Sequence, residues 1–192
     1  MVLLNRIYTR AGDSGQTRLA SGRPVSKANP RVAAYGEVDE LNAVIGLVRL
    51  ETGGNDTLDP LLARVQNDLF DLGADLATPK GKAGGPEALR IVAAQVARLE
   101  AEIDALNGEL SPLTSFVLPG GSRASAWLHL ARTVCRRAER ATVAFADEYG
   151  DGVHAEALKY LNRLSDLLFV AARYANAKGE GDVLWVPGAG RT

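Results

Sequence analysis

The chain has a single cysteine, Cys135, among its 192 residues, so no disulfide can close within it. That usage fits a reducing compartment, and the expected location is the cytoplasm. Its two histidines, His129 and His154, stand apart from any His/Glu pairing on a helix, which leaves no familiar zinc pattern. No stretch approaches about 18 uninterrupted apolar residues, so no membrane span is expected. Met1 to Thr9 lack a basic region followed by a long apolar run, so no secretory signal is expected either. The formal net charge is −1, from 22 basic and 23 acidic residues. Global attraction to nucleic acid or an anionic membrane is thereby excluded, and any anion site must be local.

What is present is ordinary globular composition, 46% hydrophobic and 23% charged, in a length suited to one domain. Residues 1–29 read as an irregular N-terminal loop punctuated by Gly12, Gly15 and Gly22. Helical periodicity follows over Arg31 to Glu51, Thr57 to Thr78, Pro86 to Leu106, Ser122 to Gly150 and Ala155 to Ala177. Lys80 to Gly85 is a Gly/Lys loop. Asp182 to Thr192 reads as a flexible tail. Five amphipathic helices with almost no strand signal predict an all-α fold. The chain is read as one domain over 1–192: the loop 1–29, a five-helix bundle over 30–178 and a tail over 179–192.

Four segments could carry chemistry. Arg132, Arg136 and Arg140 lie at i, i+4, i+8 and form one stripe on a helix. Like charges at this spacing repel, so the stripe calls for acidic partners or a bound polyanion. Glu37, Asp39 and Glu40 on the first helix are candidate partners, and a solvated face is the plainer alternative. Thr9 to Thr17 hold glycines and hydroxyls that can converge on phosphate oxygens, with Lys27 downstream. The segment is not a Walker A loop, because no Gly-Lys-Ser/Thr follows at the required spacing. A flexible polar arm is its plainer reading. Asn162 and Asp166 share a face of the fifth helix, where they serve either a nucleoside and an arginine or an interhelical polar pairing. Phe116, in Phe116-Val117-Leu118-Pro119-Gly120-Gly121, either wedges against a flat ligand or plugs the end of the bundle.

Taken in order, these segments resemble the ATP:cob(I)alamin adenosyltransferases of the propanediol-utilisation type. The resemblance runs through Tyr8-Thr9-Arg10-Ala11-Gly12-Asp13-Ser14-Gly15 and Tyr35-Gly36-Glu37-Val38-Asp39-Glu40-Leu41-Asn42. It continues through Phe116 to Ser122, Ala131 to Arg140, and Tyr160-Leu161-Asn162-Arg163-Leu164-Ser165-Asp166. It implies a five-helix bundle assembled as a homotrimer, with ATP at each subunit interface. It implies transfer of the 5′-deoxyadenosyl group of ATP to cob(I)alamin, giving adenosylcobalamin and triphosphate, with Mg²⁺. Thr9, Arg10, Ala11, Gly12, Thr17, Arg18 and Lys27 would hold the triphosphate. Arg136, Arg137, Glu139 and Arg140 would contact ATP from the fourth helix and Asn162 from the fifth. Asp39 would pair with Arg136 across the interface, and Phe116 would sit beneath the corrin and exclude the lower axial base. Arg10 and Ala11 depart from the usual Lys and Thr of the family, leaving main-chain contacts at both positions. The metal ligands are not assigned.

Cob(I)alamin is itself a strong nucleophile, which agrees with the absence of an activated Ser, Cys or Lys pairing. The chain has no flavin or iron–sulfur signature, so a separate reductase is expected to supply the electron. An adenosylcobalamin-dependent acceptor enzyme is a further expected partner; nucleic acid and membrane are not. The rival reading is a non-catalytic ATP-sensing helical oligomer. A purely structural bundle is a third, and it predicts an arginine stripe fully paired with acids.

Overall fold

The computed structural model describes residues 7–79, 88–149 and 153–191. Among them are five helices: α1 (Pro30–Thr52), α2 (Leu58–Ala77), α3 (Ala93–Asn107), α4 (Arg123–Tyr149) and α5 (Ala155–Tyr174). α1 packs between α2 and α4, and α5 packs between α4 and α3. Ala34, Val38, Leu41, Ile45 and Val48 recur at helical spacing on α1 and are all buried. They join Leu62, Leu69 and Leu72 of α2, Leu128 and Val134 of α4, and Leu161, Leu164 and Leu168 of α5 in one core. Each such leucine removed from water contributes roughly 1.5–3 kcal/mol before the entropy cost of ordering.

Local chemistry sets the helix ends. Asn29 precedes Pro30, and its side chain accepts from the Arg31 N–H at 2.9 Å, capping α1. α2 is capped by Asn55, whose Oδ1 accepts from Thr57 and Leu58 N–H groups. Ser122 caps α4 as expected, its Oγ accepting from the Ser125 N–H at 3.1 Å. α3 departs from the sequence reading. It starts at Ala93 rather than in the region of Pro86, a residue outside the described set along with the Lys80–Gly85 loop. The reason is long-range: Asp75 of α2 accepts from the Ile91 N–H and from the Arg90 guanidinium, holding residues 90–91 out of a helix. α5 stops at Tyr174, three residues short of the expected end. Ala177, Lys178 and Gly179 all take positive φ there, and the Gly179 N–H donates back to the Arg173 carbonyl at 2.9 Å.

The N-terminal loop is more ordered than its composition suggests. Gln16–Arg18 (β1) pairs antiparallel with Pro24–Ser26 (β2), and Gly22 turns the chain between them at φ +79. Leu19 is buried, and the Ala20 N–H donates to the Ala77 carbonyl, tying this ribbon to the end of α2. The tail is likewise paired. Val117 and Leu184 form an antiparallel bridge, flanked by hydrogen bonds from Leu118 N–H to Val183 O and from Trp185 N–H to Phe116 O. None of the described helices is long and apolar enough to cross a membrane.

Candidate functional site

Six of the seven residues that the resemblance places on the triphosphate gather in one place. Thr9, Ala11, Gly12, Thr17, Arg18 and Lys27 line a hollow of ≈ 500 Å³ on the N-terminal ribbon. Gly12 lies close under the end of Lys27, since a Cβ on it would be 3.0 Å from Lys27 Nζ. The Lys27 N–H donates to Gly15 O at 2.8 Å, closing the loop on itself. Arg10 stands outside this lining at φ 60, with its guanidinium over the Tyr8 ring. The hollow combines two cations, hydroxyls and exposed main chain, which is a chemistry suited to phosphate oxygens.

A second hollow, of ≈ 480 Å³, is lined by Arg136, Glu139 and Arg140 of α4 with Asn162 of α5, together with Val143, Ala144 and Asp147. Asn162 donates to Glu139 Oε1 at 3.1 Å, and Arg140 donates to the Arg136 carbonyl at 3.2 Å. Arg163 next to Asn162 is held by Glu100 at 2.7 Å, and Asp166 stands 4.0 Å from it. Arg137 faces the other way. Its guanidinium forks onto Glu37 and Glu40 of α1, and those hydrogen bonds raise its pKa. Part of the arginine cluster is therefore paired internally, as the acidic first helix suggested. Among the described residues no carboxylate pairs with Arg132, Arg136 or Arg140. Arg132 is half-buried, its Nε has no partner, and desolvation followed by the Arg136 charge lowers its pKa.

Phe116 occupies a third hollow, of ≈ 640 Å³, with Leu113, Arg132, Phe169 and Trp185 among its lining. Phe116 is 77% exposed, so it does not plug the bundle. Its ring lies against Trp185, with centroids 5.9 Å apart at 59°. Asp39 is elsewhere. It is exposed on α1 beside Asn42, Gly73 and Phe70 in a hollow of ≈ 410 Å³, and Phe70 there is 73% exposed. The ribbon hollow, the arginine hollow and the Asp39 hollow share no lining residue within one chain.

The model of the cobalamin adenosyltransferase family matches residues 7–175 of this chain. The chain belongs to that family. It is 52% identical over 192 residues to a corrinoid adenosyltransferase of Mycobacterium tuberculosis, covering all of this chain and 98% of the relative. It is 43% identical to a corrinoid adenosyltransferase of Bacillus subtilis, over 93% of this chain and 91% of that one. Among solved structures it resembles a variant PduO-type ATP:corrinoid adenosyltransferase from Lactobacillus reuteri complexed with cobalamin and ATP. The TM-score is 0.86 at 39% identity, covering 94% of this chain and 99% of the other.

Within this adenosyltransferase fold the remaining polar groups are mostly structural. Cys135 is fully buried, donates to Leu161 O at 3.3 Å, and has its thiol pKa pushed up by burial, which leaves no reactive thiolate. Asp68 gathers Tyr160, Arg98 and Gln95, satisfying a buried polar cluster between α2, α3 and α5. Trp185, a packing residue by its sequence pattern rather than a stacking platform, and Phe169 both line the Phe116 hollow. For Phe169 the residue pattern carried no signal beyond a core position. For Trp185 the apolar run Leu184-Trp185-Val186 was a trace of the pairing.

Proposed function

We propose that the chain transfers the 5′-deoxyadenosyl group of ATP to cob(I)alamin, acting as a homotrimer with ATP at each subunit interface. The observation that carries this reading is the separation of two anion-suited hollows in one chain. One holds Thr17, Arg18 and Lys27 and the other Arg136, Arg140 and Asn162. A neighbouring copy would bring the ribbon of one subunit to the α4–α5 face of the next. Asp39 and the stripe then supply each other's missing counter-charge, with Arg136 as the expected partner. Arg137, already held by Glu37 and Glu40, frames that face and reaches ATP only by its remaining donors.

Bond making is direct. The cobalt electron pair attacks the ribose C5′, a Co–C bond forms, the C5′–O bond breaks, and its electron pair leaves on triphosphate. Arg136, Arg140, Arg18 and Lys27 stabilise the charge that gathers on the leaving group, each contact lowering the barrier by about 3 kcal/mol. Among the described residues no group of three or more His, Cys, Asp or Glu side chains gathers. Mg²⁺ would accordingly ride on the triphosphate, with Glu139 and Asp147 the carboxylates at hand in the arginine hollow. When bound it supplies further charge neutralisation to the leaving group. Phe116 takes the lower face of the corrin and excludes the axial base, which makes reduction of Co(II) easier. The electron comes from a separate reductase, and an adenosylcobalamin-dependent enzyme takes the product. The site of action is the cytoplasm.

The test is incubation with ATP, Mg²⁺ and chemically reduced cobalamin, following the cobalamin spectrum and triphosphate release. Both products are expected in equal amounts. ATP binding without either product would favour the non-catalytic sensor instead.

A further inference from the structure

We propose that Trp185 is a positioning residue for Phe116, and that the C-terminal tail is a clip that holds Phe116 against entry of the lower axial base. The inference rests on the reading of Phe116 given above and extends it to a segment with no assigned part in the site. Phe116 lies on a connector between α3 and α4, and a ring this exposed has little core packing to hold it. What holds it is the tail. The Trp185 N–H donates to Phe116 O at 2.8 Å, Ser115 Oγ donates to Trp185 O at 2.7 Å, and the Leu118 N–H donates to Val183 O at 2.7 Å. The two rings then meet in a tilted contact inside the same hollow.

The clip is itself anchored in the bundle. Asp182, just before the paired residues, is buried against Arg173 of α5 at 2.7 Å and also accepts from Asn176. Asn176 reaches the other end of the connector as well, its Oδ1 accepting from the Ser122 N–H at 3.0 Å. Gly121 permits this approach: it takes φ +84, and a Cβ on it would lie 2.4 Å from the Asn176 amide. Phe116 is thus gripped on both flanks by groups fixed to the end of α5. A ring held this way resists displacement by an incoming base, whereas a ring on a free connector would yield to it.

The experiment uses the full chain with ATP, Mg²⁺ and cobalamin, and a second corrinoid that lacks the lower base. Cobalt(II) paramagnetic resonance reads the fraction of bound corrinoid that keeps its base. For Trp185→Ala the expected result is a kcat about 10-fold lower with cobalamin. The base-bound fraction should rise, the KM for ATP should be unchanged, and Trp185→Phe should restore most of the loss. With the baseless corrinoid the variant should turn over like the parent. An equal loss on both corrinoids, or no loss on either, overturns the proposal. Phe116→Ala separates the two layers. If it leaves the base-bound fraction unchanged, the wedge reading itself fails; if it raises that fraction and Trp185→Ala does not, the role of Trp185 alone fails. Should Trp185→Ala fail to fold, Ser115→Ala removes one hydroxyl bond to the clip. A smaller rise in the base-bound fraction is then expected, and its absence overturns the proposal.

Discussion

The Phe116 hollow and the arginine hollow differ in what a single chain supplies. Around Phe116 the connector, the tail and the end of α5 are all from one chain, and their polar groups are paired with one another. Around Arg136 and Arg140 the guanidinium groups face a hollow with no carboxylate paired to them, while the cationic ribbon lies in a separate hollow. A half-site finished within the chain can hold a shape. A half-site whose guanidinium groups carry no direct ion pair, with Glu139 and Asp147 in the same lining, keeps donors free for an anion or for an acidic surface of another copy. The contrast assigns shape control of the corrin to one end and charge control of the leaving group to the other.

The largest effect should come from dividing the charged half between subunits. Lys27→Ala and Arg140→Ala are each expected to lower kcat about 100-fold. Unfolded together, mixed equally and refolded, they should regain activity, because about a quarter of the interfaces then combine an intact ribbon with an intact stripe. No recovery would mean that ribbon and stripe serve the same site within one chain, or do not meet at all.

The next effect concerns the finished half. Asp182→Asn removes the partner of Arg173, whose side chain is only 6% exposed, 3% for Asp182 itself. Breaking a buried ion pair in this way is expected to cost about 3 kcal/mol of unfolding free energy. It should also raise the base-bound fraction of cobalt(II), with ATP affinity retained. Loss of ATP affinity in step with cobalamin turnover would show that the two ends are not separable.

The bundle is legible because its periodicity is local: Val38, Leu41, Ile45 and Val48 on α1 and Leu61, Leu62, Val65, Leu69, Leu72 and Leu76 on α2 recur at helical spacing and are buried. The start of α3 is not, because Asp75 captures Arg90 and Ile91 across 15 and 16 residues of sequence, where periodicity has no reach. The N-terminal ribbon escaped notice because its strands are three residues each, too short for alternation to register. In the site, the family resemblance implies seven triphosphate residues, and six of them, all but Arg10, line one hollow. Arg137 is paired with Glu37 and Glu40 of α1, acids that the sequence already offers as arginine partners, while which arginine each acid takes depends on how the two helices are turned. The clip on Phe116 joins Ser115 to Trp185, 70 residues apart, and no local pattern announces such a contact.

The smallest effect tests how dry the end of the bundle near Phe116 is. His129 is buried edge-on to Phe169, a residue of the Phe116 hollow, and its Nδ1 has no hydrogen-bond partner. Desolvation, then the charge of Arg132, lowers its pKa below the ordinary value, against a smaller opposing pull from Asp182. The unfolded chain therefore takes up a proton at His129 more readily than the folded one. Stability from this group is fully present above about pH 6.5 and is lost as pH falls through the lowered folded value. Thermal midpoints at pH 7.5 and 5.5 should differ more for the parent than for His129→Leu, which has no proton to accept. Equal differences would mean that water reaches His129 freely, and the Phe116 end would then be as open to solvent as the arginine end.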